Sequence, residues 1–175
     1  MVNDLKGSIR DVADFPKPGI VFRDITTLLK DPAAFRSALD RLVAMAGGEP
    51  ISAVACIESR GFLFGGALAQ RLGAGCIPVR KPGKLPAATL REEYTLEYGT
   101  DALEIHADAL HAGDRVLVHD DLLATGGTAL ATCRLVERLG GVVVGALFLV
   151  ELSFLGGRER LRTYPVSSVV QYDSE

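Results

Sequence analysis

The chain has 175 residues, a length that favours one domain with a substantial core, and its 48% of hydrophobic residues argue against intrinsic disorder. Its formal net charge of −3 lacks the basic excess typical of proteins that bind nucleic acid or a membrane surface. The three cysteines lie far apart in the sequence, which argues against a disulfide scaffold or a structural zinc site and favours a reducing cytoplasm.

The N-terminal residues carry charges throughout and lack the apolar region of a signal peptide. The most apolar run, residues 142–150, is less than half as long as the ~20 residues that a helix needs to cross a membrane. We therefore expect a soluble, cytoplasmic protein with neither a membrane nor a nucleic acid as partner.

The predicted elements alternate between strands and helices along most of the chain. Residues 5–12 predict a short helix, and residues 20–25 a weak strand, while Asp31 and Pro32 have the pattern of an N-cap and a first helical turn. Further strands are predicted over residues 51–57, 75–79, 115–119, 142–150 and 166–171, and further helices over residues 61–72 and 129–139. This alternation predicts an α/β fold whose mostly parallel sheet is flanked by helices, in one domain spanning residues 1–175.

Residues 81–93 break the alternation. They contain two prolines, one glycine and five charged residues without a usable apolar period. The segment is too long for a simple connection, so we expect a mobile lid or a disordered insertion.

Residues 115–128 carry the strongest chemical signal. An apolar strand is followed by Asp120 and Asp121, which we call the acid pair, and then by a turn and a helix start. The turn, which we call the glycine loop, consists of Ala124, Thr125, Gly126, Gly127 and Thr128. Small residues and free amides at a helix N-terminus are typical of a monophosphate site.

Other phosphate motifs fit this stretch less well. A P-loop requires a lysine after its second glycine, whereas Thr128 follows Gly127, and no G-x-G-x-x-G spacing occurs in the chain. Since two acids aimed at a phosphate would repel it, the acid pair would instead face hydroxyl groups or a divalent cation, as on a ribose ring that carries a 5′-phosphate. The alternative is that the two acids only cap a turn.

The stretch Asp120-Asp-Leu-Leu-Ala-Thr-Gly-Gly-Thr128 resembles the phosphoribosyl pyrophosphate signature of the type I phosphoribosyltransferases, and of their adenine-specific members in particular. Three further stretches match in order, namely Phe15-Pro-x-Pro-Gly-x-Val-Phe-Arg-Asp-Ile25, Glu58-Ser-Arg-Gly-Phe-Leu-Phe-Gly65 and Leu96-Glu-Tyr-Gly99. The resemblance implies a type I phosphoribosyltransferase fold with a small N-terminal hood and a flexible lid loop. It also implies that adenine and phosphoribosyl pyrophosphate give AMP and pyrophosphate, with Mg²⁺ held mainly through the substrate and with a homodimer as the usual assembly.

The resemblance assigns a role to each matching residue. The glycine loop would hold the 5′-phosphate, and the acid pair the ribose hydroxyls with Mg²⁺. The pyrophosphate would contact Ser59, Arg60, Gly61, Arg80, Lys81 and Lys84, of which Ser59 belongs to a loop that contains a cis peptide bond in relatives. Adenine would lie against Val21, Phe22, Arg23 and Leu122. Glu97 matches the carboxylate that handles the purine proton, and Tyr98 would close the lid.

Without the resemblance, several of these residues have simpler interpretations. Phe22 would be a core aromatic, Arg60 a surface charge, and Glu97 a solvated strand residue. His119 departs from the family, whose members more often carry an aliphatic residue there. Strand alternation points its side chain away from that of Asp120, and both a structural and a catalytic role remain open for it.

Two other functions remain as alternatives. One is a regulator on the same fold that binds phosphoribosyl pyrophosphate as a signal, although we expect no room for a helix-turn-helix extension in 175 residues and no basic face at a net charge of −3. The other is an enzyme specific for a 6-oxopurine or for orotate. The glycine loop with Leu122 and the stretch around Phe22 favour adenine.

Overall fold

A five-stranded sheet with all strands parallel forms the centre of the structure, a computed structural model that describes residues 4–95 and 100–174. The strands of the chain are β1 Arg10–Val12, β2 Phe22–Asp24, β3 Ala53–Ile57, β4 Gly75–Val79, β5 Thr89–Thr95, β6 Thr100–His106, β7 Arg115–Leu123, β8 Val142–Leu152 and β9 Val166–Tyr172. The central sheet has the order β4-β3-β7-β8-β9. The pairs β1–β2 and β5–β6 form two small antiparallel sheets beside it.

Helices cover both faces of the central sheet. They are α1 Thr26–Leu29, α2 Pro32–Met45, α3 Gly61–Leu72, α4 Gly127–Arg138 and α5 Gly157–Arg160. Val54 of β3 faces the core that α2 and α3 cover, while its neighbour Ala55 faces the core that α4 covers. Both faces of the strand are thus buried, as the crossover helices of a parallel sheet require. No helix among the described residues is long and apolar enough to cross a membrane.

Local signals set the ends of the main helices. The Asp31 carboxylate accepts hydrogen bonds from Ala33 N at 2.8 Å and Ala34 N at 3.4 Å, so the predicted N-cap of α2 is confirmed. The predicted helix over residues 61–72 is confirmed as α3, and Gly73 ends it with a φ of +66°.

The predicted helix over residues 5–12 is wrong. Only Lys6–Ser8 form a 3₁₀ turn, and β1 follows it in antiparallel register with β2. Arg10 donates to the Asp24 carboxylate at 2.5 and 3.1 Å, and Arg23 lies 2.5 Å from the Asp11 carboxylate. These cross-strand partners are distant in sequence, and they favour the strand over a local helix.

The prediction that residues 81–93 have no regular structure is wrong for the second half of this segment. Residues 89–93 belong to β5, which pairs with β6 in an antiparallel hairpin that the sequence pattern did not predict. Arg138 of α4 anchors the hairpin by donating to the Glu92 carboxylate at 2.9 Å and to the Arg91 carbonyl at 2.7 Å. Several of the charged residues of this segment therefore lie on a surface strand.

The strand predicted over residues 115–119 is also longer than expected. β7 continues to Leu123 because β8 keeps pairing with it as far as Glu151. The acid pair therefore lies within the strand and not after it.

Candidate active site at the carboxyl ends of the sheet

The residues predicted to bind the 5′-phosphate, the ribose and the pyrophosphate lie at one end of the sheet. β4, β3 and β7 are neighbours and run parallel, so their carboxyl ends lie side by side. Arg80 and Lys81 follow β4, residues 58–61 follow β3, and the acid pair and the glycine loop end β7. Ligands of open α/β sheets bind at this edge.

The glycine loop lines a small cavity of about 70 Å³ together with Asp120 and Leu122. Gly126 has a φ of +79°, and a Cβ atom there would lie 2.7 Å from the Gly157 carbonyl oxygen, so only glycine fits this turn. α4 begins at Gly127, and the N–H groups of a first helical turn have no acceptor within their helix. The small cavity, the free N–H donors and the positive end of the α4 dipole together suit a phosphate group.

Opposing influences act on the two carboxyl groups of the acid pair. Burial and the neighbouring charge of Asp121 raise the pKa of Asp120 well above its ordinary value. Burial also raises the pKa of Asp121, but the Arg60 guanidinium opposes it because Arg60 Nε lies 2.9 Å from Asp121 Oδ2. The pair therefore favours additional positive charge or hydrogen-bond donors beside Asp120, as a bound sugar or cation would provide.

Arg60 connects the acid pair to the N-terminal hood formed by β1 and β2. Its guanidinium lies over the Phe22 ring, 4.9 Å from the ring centroid, in addition to its contact with Asp121. Phe22 and Arg60 border an apolar cleft of about 440 Å³, to which Phe15 and Leu63 also contribute. A flat apolar ring fits such a cleft.

The four residues predicted to contact a base do not line one shared cavity. Phe22 lines the apolar cleft, whereas Leu122 lines the cavity of the glycine loop. Val21 is half-buried just before β2. The Arg23 side chain is buried against Asp11 and the Tyr172 ring, and Arg23 lines neither of these two cavities.

Glu58, for which the sequence suggested no role, holds the loops after β3 and β4 together. Its carboxylate accepts hydrogen bonds from Arg80 Nε and from Lys81 N, both at 3.0 Å. Arg80 also donates to the Lys84 carbonyl at 3.0 Å. The Glu58–Ser59 peptide bond is cis, as the resemblance implies. The sequence signal for Glu58 is its place between a buried strand and Ser59.

Lys81 is engaged by the β5–β6 hairpin. Its ammonium group contacts the Asp101 carboxylate and donates to Tyr94 Oη at 2.8 Å. Burial lowers the pKa of Lys81, but these two hydrogen bonds outweigh burial and raise the pKa overall. Glu97 and Tyr98, the predicted proton-handling and lid residues, lie outside the described residues.

His119 is fully buried on the side of the sheet that faces α3. Its Nδ1 lies 2.9 Å from the Leu147 carbonyl oxygen, and burial lowers its pKa to about 4. The side chain therefore stays neutral and points away from the glycine loop, which favours the structural interpretation.

The described residues contain no group of three or more His, Cys, Asp or Glu side chains that could hold a metal ion. The acid pair alone supplies carboxylate oxygens of the kind that Mg²⁺ prefers. Further ligands for such an ion would have to come from a substrate and from water.

Comparisons with known proteins identify the family that the sequence resembles. A family model described as "Phosphoribosyl transferase domain" matches residues 25–171. The adenine phosphoribosyltransferase of Maricaulis maris is 56% identical over 172 residues, which cover 97% of this chain and 98% of that protein.

Solved structures agree over the same length. The crystal structure of adenine phosphoribosyltransferase from Thermoanaerobacter pseudethanolicus superposes with a TM-score of 0.95 at 53% identity, covering 98% of this chain and 100% of that one. The enzyme from Saccharomyces cerevisiae, solved with an iminoaltritol bisphosphate and adenine, gives a TM-score of 0.90 at 39% identity and covers 96% of this chain and 97% of that one. With the parallel sheet and its loops already in place, these matches show that the chain belongs to the adenine phosphoribosyltransferases of the type I phosphoribosyltransferase family.

Proposed function

We propose that this chain transfers the 5-phosphoribosyl group of phosphoribosyl pyrophosphate to N9 of adenine, giving AMP and pyrophosphate in purine salvage. The observation that supports this most directly is that the glycine loop, the acid pair and two loops that carry arginine or lysine lie together at the ends of β7, β3 and β4. The reaction requires that the 5′-phosphate, the ribose and the pyrophosphate of the substrate are each held in place, and this end of the sheet offers a protein group for each of them.

The glycine loop holds the 5′-phosphate, with amides at the start of α4 and the hydroxyls of Thr125 and Thr128 as donors. The acid pair accepts hydrogen bonds from the ribose hydroxyls. Because both sites belong to one continuous segment of β7 and its turn, the ribose is fixed at two points. This fixed geometry lowers the entropic part of the barrier.

The leaving pyrophosphate contacts Ser59, Arg60 and Gly61 after β3 and the basic residues Arg80, Lys81 and Lys84 after β4. Displacing pyrophosphate from ribose C1 places positive charge on the ring and negative charge on the leaving group. Fixed cations stabilise that negative charge as it develops. Lys81 must exchange its contact with Asp101 for the pyrophosphate, which couples pyrophosphate binding to the hairpin.

Adenine stacks on Phe22 in the hood, and Leu122 covers the opposite face of the base. Backbone groups of Val21 and Arg23 read the purine edge. Glu97 handles the purine proton as N9 attacks C1, and Tyr98 closes the lid so that water does not trap the developing cation.

Mg²⁺ fits the acid pair. Burial and the charge of Asp121 raise the pKa of Asp120, so a divalent cation beside these carboxylates relieves an unfavourable charge. Asp120 and Asp121 would hold the ion through bound ribose oxygens and water, and when bound it offsets charge on the pyrophosphate.

We further propose that residues 1–175 act as one domain, in a cytoplasmic homodimer.

The test is pyrophosphate release from phosphoribosyl pyrophosphate and Mg²⁺, with adenine, hypoxanthine, guanine or orotate supplied separately. We expect release with adenine alone and AMP as the product. Asp121→Asn should lower the rate by about 10²-fold, because it loosens the ribose and removes the partner of Arg60. Asp40→Asn is the matched control, because it changes an exposed ion pair between Asp40 of α2 and Arg71 of α3, and it should leave the rate unchanged.

Each other outcome identifies a different error. Release with another base would keep the transfer reaction and overturn the choice of adenine. Tight binding of phosphoribosyl pyrophosphate without turnover of any base would favour the regulator.

A further inference from the structure

The backbone of Gly157, at the start of α5, lies directly behind the glycine loop. A Cβ atom on Gly157 would be 2.2 Å from the Ala124 carbonyl oxygen and 2.9 Å from Leu123 Cδ1. A Cβ atom on Gly126 would lie 2.7 Å from the Gly157 carbonyl oxygen. Because the two backbones touch without intervening side chains, the position of Gly157 limits where the loop lies.

α5 has only four residues, so it cannot hold this position by its own helical hydrogen bonds. Its second residue, Arg158, is fixed from outside the helix. Arg158 Nε and Nη2 donate to the two Glu151 carboxylate oxygens at 2.9 and 2.6 Å, and Nη1 donates to the Val166 carbonyl at 2.7 Å. A bidentate pair of this kind restricts both the distance and the orientation of the guanidinium.

Glu151 is itself held firmly. It is 2% exposed near the end of β8, where its backbone pairs with Leu123 just before the glycine loop. Its carboxylate also accepts hydrogen bonds from Ser168 at 2.5 Å and Gln171 at 3.3 Å, both on β9. Burial raises the pKa of Glu151, but the bonds from Arg158 and Ser168 outweigh it and lower the pKa overall, so the carboxylate stays charged.

We propose that Glu151 and Arg158 are positioning residues for the 5′-phosphate site. They fix Gly157 against the rear of the glycine loop and thereby keep the loop amides aligned, without contacting the substrate themselves. This inference rests on the proposed function, because it takes the glycine loop as the 5′-phosphate site. It assigns a role to an ion pair between a buried carboxylate and a half-exposed arginine, which the reaction does not otherwise use.

The test compares Arg158→Ala and Arg158→Lys with Arg115→Ala as the matched control. Arg115 also donates to a carboxylate, that of Glu49 at 3.2 Å, and to a carbonyl, that of Pro50 at 2.9 Å. The two arginine side chains are 46% and 39% exposed. Arg115 lies at the start of β7, the opposite end of the sheet from the site.

The measurements are the calorimetric dissociation constant of ribose 5-phosphate, the KM values for both substrates, kcat, and the melting temperature. We expect Arg158→Ala to weaken ribose 5-phosphate binding and to raise the KM for phosphoribosyl pyrophosphate by about tenfold, a loss of about 1.4 kcal/mol. The KM for adenine should change less than about twofold, because the base contacts the hood and not the glycine loop. Arg158→Lys, which keeps the charge but loses the bidentate geometry, should fall between wild type and Arg158→Ala.

A merely structural role would lower the melting temperature without a selective loss of phosphate affinity, as we expect for Arg115→Ala. Equal affinity of wild type and Arg158→Ala for ribose 5-phosphate would overturn the proposal. If Arg158→Ala does not fold, wild-type affinity in Arg158→Lys would overturn it in the same way. A wild-type protein that binds no ribose 5-phosphate and transfers nothing would instead overturn the proposed function, and this inference with it.

Discussion

Close contact between backbones decides which residue is tolerated at Gly61. A Cβ atom there would lie 2.9 Å from Asp120 Oδ1, 3.2 Å from Asp120 Cα and 3.3 Å from the His119 carbonyl oxygen. Two of these three neighbours are backbone atoms of a central strand, which cannot yield. The absence of a side chain therefore lets α3 start directly against the acid pair.

Gly61→Ala should destabilise the protein by about 1–3 kcal/mol, because the added methyl group forces α3 away from β7. It should also lower kcat/KM, since both Arg60 and Asp120 would shift. Urea unfolding and steady-state kinetics measure the two effects.

Gly66→Ala is the control within the same helix. Beyond the adjacent residues and the backbone of its own helix, no atom lies within 4 Å of a Cβ at Gly66, so this change should be neutral or stabilise by up to about 1 kcal/mol. Equal effects of the two substitutions would show that close packing at Gly61 is not the cause.

The buried His119 should make stability depend on pH. Its pKa is about 4 in the folded protein and about 6.5 when exposed, so the unfolded chain takes up a proton first as the pH falls. The contribution is therefore complete above about pH 6.5. It declines by ~1.4 kcal/mol per pH unit down to about pH 4, where the folded state is protonated as well.

The measurement is the free energy of unfolding of wild type and His119→Val between pH 4 and pH 8. Subtracting the two curves removes the opposite contributions of the acid pair and isolates His119. The difference should be flat above about pH 6.5 and should slope below it. A difference that does not vary with pH would mean that His119 is not buried as a neutral group.

At the scale of elements, the helices with strong local signals were predicted best. The carboxylate of Asp31 and the ring of Pro32 act within one turn of α2, and Gly73 ends α3, so neighbouring residues alone determine these boundaries. The predicted strands of the central sheet were also confirmed, because their apolar runs are long enough to require burial.

Elements whose stability depends on distant partners were predicted poorly. Leu90 and Tyr94 of β5 pack against the core, and Glu92 between them is stabilised by Arg134 and Arg138 of α4. The pairing of β7 with β8 likewise extends β7 beyond the residues expected from its apolar run. In a sequence, a charged residue suggests an exposed position unless its partner is known.

At the scale of the whole molecule, one aromatic ring fastens the N-terminal hood to the central sheet. Tyr172 ends β9 and is buried between Lys6 and Arg23, whose charged groups lie 4.4 and 4.0 Å from the ring centroid. Arg60 makes the second connection through the Phe22 ring. These contacts between cations and rings therefore contribute to the position of the hood relative to the site.

Tyr172→Leu should loosen the hood while keeping an apolar side chain at the end of β9. The loss of two cation–π contacts, about 0.5–1 kcal/mol each, should speed amide hydrogen exchange in β2 about five- to thirtyfold. Exchange in β7 should stay unchanged. Tyr164→Leu is the control. It removes a tyrosine far from the hood whose hydroxyl donates to the Glu137 carboxylate, and it should leave exchange in β2 unaffected. Uniform acceleration in both strands would indicate global destabilisation instead.

The sequence by itself determined the parallel α/β architecture, the glycine loop, the acid pair and the family, because each is encoded in contiguous residues whose spacing is compatible with few alternative structures. Only the tertiary structure decided that Glu58 joins two loops, that Lys81 is held by Asp101, and that Gly157 backs the glycine loop. These contacts join residues at least 20 positions apart in the chain. Their energies depend on distances and burial that arise only when the strands lie side by side.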